Sequence, residues 1–195
     1  MRTAKLMTAL LVAAGLTGAG GAWAQAGNKE ARDAAIRSAE AQYKTAKATC
    51  DALSGNAKDI CIEEAKGNER VAKAEAEVAY ENTPRMREKA RVARAEAAYE
   101  VAKEKCDDLS GNPKDVCIKE AKAAHVKALA DARVDRVAAD ERRTGSEKTM
   151  AAKREATEDK RDADYKVAIE RCDALAGAAK DNCIRDAKAR YGKSS

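Results

Sequence analysis

Six cysteines are the residues of this chain whose type and spacing could do chemistry. They fall in three pairs, Cys50 with Cys61, Cys106 with Cys117 and Cys172 with Cys183, each with ten intervening residues. Paired thiols serve as metal ligands, redox couples or structural crosslinks. Zinc sites draw on cysteines two to four residues apart, completed by histidine or more cysteine. Such close pairs are missing here, and His125 is the only histidine. Redox couples tune a thiolate within Cys-x-x-Cys, a spacing these pairs do not have. A structural disulfide is the chemistry the spacing favours, provided the chain around each pair turns back on itself.

The surrounding residues say that it does. Residues 39–66, 95–122 and 161–188 align without gaps, with 13 of 28 columns identical in all three, so one structural unit is used three times. Tyr43, Ala46, Cys50 and Leu53 follow steps of a single helical face; Tyr99, Ala102, Cys106, Leu109 and Tyr165, Ala168, Cys172, Leu175 repeat it. Gly55, Gly111 and Gly177 suit the left-handed residue that ends a helix. Asn56 and Asn112 read as N-caps of a second helix, and Pro113 falls where an early helical turn tolerates it. With Cys50 as far before Gly55 as Cys61 lies beyond Asn56, the two thiols meet at one height across an antiparallel seam. Six cysteines allow about fifteen pairings; the repeat selects Cys50–Cys61, Cys106–Cys117 and Cys172–Cys183. Closing so short a loop stabilises the hairpin by about 3 kcal/mol on the chain-entropy model. In the third copy Ala178 replaces the asparagine and Asn182 stands where Ile60 and Val116 stand. Loss of a cap costs roughly 1 kcal/mol, so this hairpin is expected to fray first.

The composition leaves the hairpins little to bury. The chain of 195 residues has no Phe, and Ala, Glu, Lys and Arg dominate it. These are strong helix formers, and Asp33/Arg37, Glu40/Lys44, Glu69/Lys73 and Asp162/Lys166 are placed for i,i+4 pairing. Thin seams of Ala follow, rather than a large core, and small cores need staples. Glu81-Asn82-Thr83-Pro84 reads as a stop and restart with Thr83 as N-cap; Arg142-Arg143-Thr144-Gly145-Ser146 reads as another. The expected fold class is all-α: three disulfide-stapled antiparallel helical hairpins, elongated or in a loose bundle, over residues 27–82, 83–143 and 144–195.

Residues 1–26 have a different character. Arg2 and Lys5 precede an apolar run from Leu6, which is followed by small residues ending Ala22-Trp23-Ala24-Gln25-Ala26. Those are the three parts of a secretory signal peptide, cleaved after Ala24 or Ala26. Without this segment the net charge falls from +5 to +3, too weak a balance for a nucleic-acid binder. The expected location is periplasmic or secreted, where disulfides persist, with no transmembrane anchor after cleavage.

No Ser, His and Asp grouping suggests a hydrolase, and Asp51, Asp59 and their equivalents lie at helix ends, where capping explains them. His125 is expected on an exposed helix surface. The chain therefore reads as non-enzymatic, with no catalytic, cofactor or metal residues. Lys58, Lys66, Lys114, Lys122, Lys180 and Lys188 recur in pairs on the hairpins and could touch an anionic polymer or membrane surface. Arg85, Arg87, Arg91 and Arg94 gather similarly, interleaved by Glu88 and Glu96.

The segments YKTAKATCDALSGNAKDICIEEAK and YEVAKEKCDDLSGNPKDVCIKEAK resemble Ala- and Lys-rich exported proteins of Gram-negative bacteria, mostly uncharacterised and some loosely labelled cell-envelope proteins. The resemblance covers the signal peptide and all three repeats and brings no catalytic residues. Export, repetition, stapling and the absence of a catalytic grouping point to an envelope scaffold, spacer or adaptor with envelope proteins as partners. Two rivals stand beside it: a stress-related periplasmic holdase for unfolded exported proteins, and a weak binder of anionic surfaces.

Overall fold

Long runs of Ala, Lys, Glu and Arg broken only at Gly and Pro make long helices. The computed structural model describes residues 28–141 and 147–193, so the signal peptide and the Arg142–Ser146 stop lie outside the described residues. Six helices follow one another: α1 (Lys29–Cys50), α2 (Gly55–Tyr80), α3 (Pro84–Cys106), α4 (Asn112–Glu141), α5 (Glu147–Cys172) and α6 (Gly177–Tyr191). The α2–α3 boundary is as expected: Thr83 accepts from the Met86 N–H at 3.2 Å and Pro84 opens α3. At the α4–α5 boundary Glu141, buried at the end of α4, accepts from the Thr149 N–H at 2.6 Å and from its hydroxyl.

Each helix packs only on its neighbours in sequence; among the described residues α1 does not meet α3, nor α2 α4. The hairpins therefore form an open layer rather than a closed bundle. The composition accounts for this. Of the eighteen buried apolar residues among those described, fourteen are Ala, three are Cys and one is Val, enough for lines of close approach but not for a core enclosed on all sides. Gly67 shows how close the approach is: a Cβ there would lie 2.8 Å from the Ala97 Cβ across the α2–α3 seam.

Charge pairs bridge the seams. Lys73 meets Glu40 at 2.9 Å between α1 and α2, Arg94 meets Glu75 at 2.6 Å between α2 and α3, and Arg136 meets Glu88 at 2.7 Å between α3 and α4. Between α4 and α5, Lys119 meets Glu170 at 3.4 Å and Arg171 meets Glu120 at 2.5 Å. Each such exposed pair is worth about 0–1 kcal/mol, so their main effect is on helix register. They also displace two of the four expected i,i+4 pairs, and a third gives way to a neighbour on its own helix. Only Glu69–Lys73 closes, at 2.8 Å; Asp33 turns to Arg32, Glu40 to Lys73 and Asp162 to Lys193. For Glu40 and Asp162 a cross-seam partner wins because it serves two helices at once.

The ring of His125 is also drawn into a seam, contrary to the exposed surface expected for it. It stacks on Tyr99 at 4.9 Å between centroids, and its Nε2 is buried without a hydrogen-bond partner. The polar sequence around His125 hid this, because in a layer only one line of residues per seam needs to be apolar.

Candidate functional site: the hairpin-tip edge

The antiparallel order brings the ends of α1, α3 and α5 and the starts of α2, α4 and α6 to one edge of the layer. Disulfides join Cys50–Cys61, Cys106–Cys117 and Cys172–Cys183, with Cα–Cα separations of 5.6, 5.7 and 5.7 Å. Among the described residues Cys50, Cys106 and Cys172 are the largest fully buried side chains. The bridges thus occupy the place of a hydrophobic core, and they belong to an oxidising environment. Gly55, Gly111 and Gly177 turn each chain with φ of 56°, 61° and 54°, the left-handed region where a side chain would be strained.

An ion pair closes each turn. Lys58 meets Asp51 at 2.9 Å, Lys114 meets Asp107 at 2.8 Å and Lys180 meets Asp173 at 2.8 Å. The hydrogen bond from Lys58, reinforced by its charge, holds the Asp51 carboxyl below the usual carboxylate range. Asp107 and Asp173 likewise raise Lys114 and Lys180. Three of the six lysines read as anion contacts thus have their charge met within the turn. Lys66 pairs with Glu63 at 2.6 Å, while Lys122 and Lys188 carry no ion pair among the described residues. Lys58 and Lys66 lie eight residues apart on α2, about 12 Å along its axis, and the other hairpins repeat that separation, so the lysines do not converge. Three of the four arginines of α3 are likewise occupied, Arg91 by Asp135, Arg94 by Glu75 and Arg87 by the backbone and side-chain oxygens of Asn82, while Arg85 carries no ion pair among the described residues.

The asparagines do not act as caps. Ser54 occupies the N-cap position of α2, and Asn56 lies inside the helix. Its Nδ2 donates to the Glu104 carbonyl at 2.9 Å, at the end of α3 in the next hairpin. Asn112 repeats the bond to Glu170 at 3.0 Å, at the end of α5. These amides tie neighbouring tips together. Ala178 stands at the equivalent place in α6, and no carbonyl of a further hairpin lies beside it among the described residues.

The leucines also differ from expectation. Each first helix ends at its cysteine, and the chain tightens so that the N–H of Leu53, Leu109 and Leu175 donates to the carbonyl of Cys50, Cys106 and Cys172 at 3.0 Å in every case. The tightened turn rotates the leucines off the seam face and leaves them 44, 43 and 44% exposed. Sequence periodicity missed this because it carried the helix one turn too far.

Among the described residues no group of three or more His, Cys, Asp and Glu side chains is arranged to hold a metal ion, and no helix is long and apolar enough to cross a membrane. No protein-family model, no curated protein and no solved structure matches the chain.

Proposed function

We propose that this is an exported, non-enzymatic scaffold, spacer or adaptor that works in the periplasm or outside the cell. The observation that carries the reading is the open layer: three stapled hairpins side by side, with their tips aligned on one edge and their seams bridged by charge pairs. Quasi-one-dimensional arrays of this kind present extended surfaces rather than enclosed pockets. The signal-peptide pattern of residues 1–26 and the three disulfides support the location.

The anion-binding reading loses ground to the turn ion pairs, which meet the charge of Lys58, Lys114 and Lys180. A holdase would need broad apolar surface, and among the described residues the exposed large apolar side chains are only Leu53, Leu109, Met150 and Leu175. The test is chemical crosslinking in intact cells, followed by purification and identification of what is attached. A single stoichiometric exported partner supports the adaptor. A broad spread of unrelated exported proteins would move the assignment to a holdase.

A further inference from the structure

The tip edge combines features that the fold itself does not require. Leu53, Leu109 and Leu175 are present in all three copies although Ser54, Ser110, Asn56 and Asn112 give way to Ala176 and Ala178 in the third. Being near half exposed, the leucines are not retained for packing. Their backbones are held by the turn hydrogen bonds and the adjacent disulfides, so little ordering cost accompanies contact with a partner. Neighbouring tips are separated by two helix spacings, roughly 16–20 Å.

The charge around them is net negative. Residues 50–61, 106–117 and 172–183 hold seven aspartates against three lysines, in a chain whose net charge is +5. All seven are exposed. The three lysines are taken by Asp51, Asp107 and Asp173, which leaves Asp59, Asp108, Asp115 and Asp181 without an ion pair among the described residues.

We propose that this edge docks a cationic amphipathic segment of a partner protein, its apolar residues against Leu53, Leu109 and Leu175 and its positive charges against the unpaired aspartates. The inference rests on the adaptor reading and names the partner's chemistry. The acidic surround selects against the two other occupants of an apolar strip. A second tip edge would oppose aspartates to aspartates, and an anionic membrane would be repelled.

A synthetic helical peptide of leucine and lysine about 24 residues long, enough to span three tips, is the probe. It is expected to bind the oxidised mature chain and to weaken as salt screens the aspartates. The L53S/L109S/L175S variant should bind about tenfold or more weakly, with unchanged helix content and disulfides because the leucines are outside the seams. The D59N/D108N/D181N variant should bind more weakly and with a shallower salt dependence. Undiminished binding by the triple leucine variant, or tight binding of the wild type to anionic vesicles, overturns the proposal. In cells, a photocrosslinking residue at Leu109 should capture the partner, and one at Ser38 or Arg161, exposed away from the tips, should not. Capture from those two positions alone refutes docking at the tips and leaves the adaptor standing; capture from none of the three removes both.

Discussion

Replacing Asn112 by Ala separates two accounts of the asparagines. The Asn112 amide donates to the Glu170 carbonyl at 3.0 Å, and that carbonyl also accepts from the Asp173 N–H at 3.2 Å. Removing the amide therefore leaves no orphaned acceptor, and the loss is that of one net hydrogen bond, about 1 kcal/mol. Ala is the better helix former by up to about 0.7 kcal/mol, though only part of this is gained so near a helix start. The expected result is a destabilisation of about 0.5–1 kcal/mol, read by urea denaturation of the oxidised protein. Faster hydrogen exchange should appear at the junction of the second and third hairpins, and Asn56→Ala should do the same one junction earlier. The reciprocal change is more decisive. If the asparagine were an N-cap, Ala178→Asn would restore about 1 kcal/mol. If it is a tie to the next hairpin, Ala178→Asn has no carbonyl to reach among the described residues and gives no gain. A clear stabilisation by Ala178→Asn would refute the tie.

Gly67→Ala should destabilise the α2–α3 seam by about 1–3 kcal/mol, since its Cβ would meet Ala97 at 2.8 Å; an unchanged thermal midpoint would show that the helices separate freely. Replacing Cys172 and Cys183 by Ser should cost about 3 kcal/mol and release α6, which among the described residues packs only on α5; exchange measurements should find the first two hairpins protected as before. The pH profile has a worked sign. Asp51 and Asp162 are lowered by hydrogen bonds from Lys58 and Lys193, so their contribution is present above about pH 4 and is lost as pH falls through their folded values. Lys114 and Lys180 are raised by their aspartates, so theirs is present below about pH 10.5 and is lost as pH rises beyond it. Melting temperature should be level between these limits and decline outside them, and a maximum confined to neutral pH would contradict the assignment.

The repeat made the cysteine pairing legible, because three copies of one spacing leave a single register in which all six thiols meet. Helices were legible from Ala, Lys and Glu, and their stops from Gly and Pro. What was hidden depends on neighbours that local pattern does not contain. Asn56 and Asn112 look like caps in isolation, and only the adjacent hairpin shows their partner. Leu53 and its equivalents continue a helical periodicity that the tightened turn breaks. Glu40 and Asp162 had plausible partners four residues away and found cross-seam ones instead. His125 sits in a polar stretch, yet one stacking contact with Tyr99 takes it into a seam. The choice between elongated array and bundle was equally invisible, since it depends on which Ala faces meet.

Small-angle scattering of the oxidised mature chain tests the open layer on which the tip edge depends. Six helices averaging about 36 Å in length and set 8–10 Å apart have a radius of gyration of about 20 Å, whereas a compact domain of this length has about 15 Å. A value near 20 Å with an asymmetric distance distribution is the expected result. A value near 15 Å would mean that the hairpins close on one another, and the aligned edge of leucines would not exist.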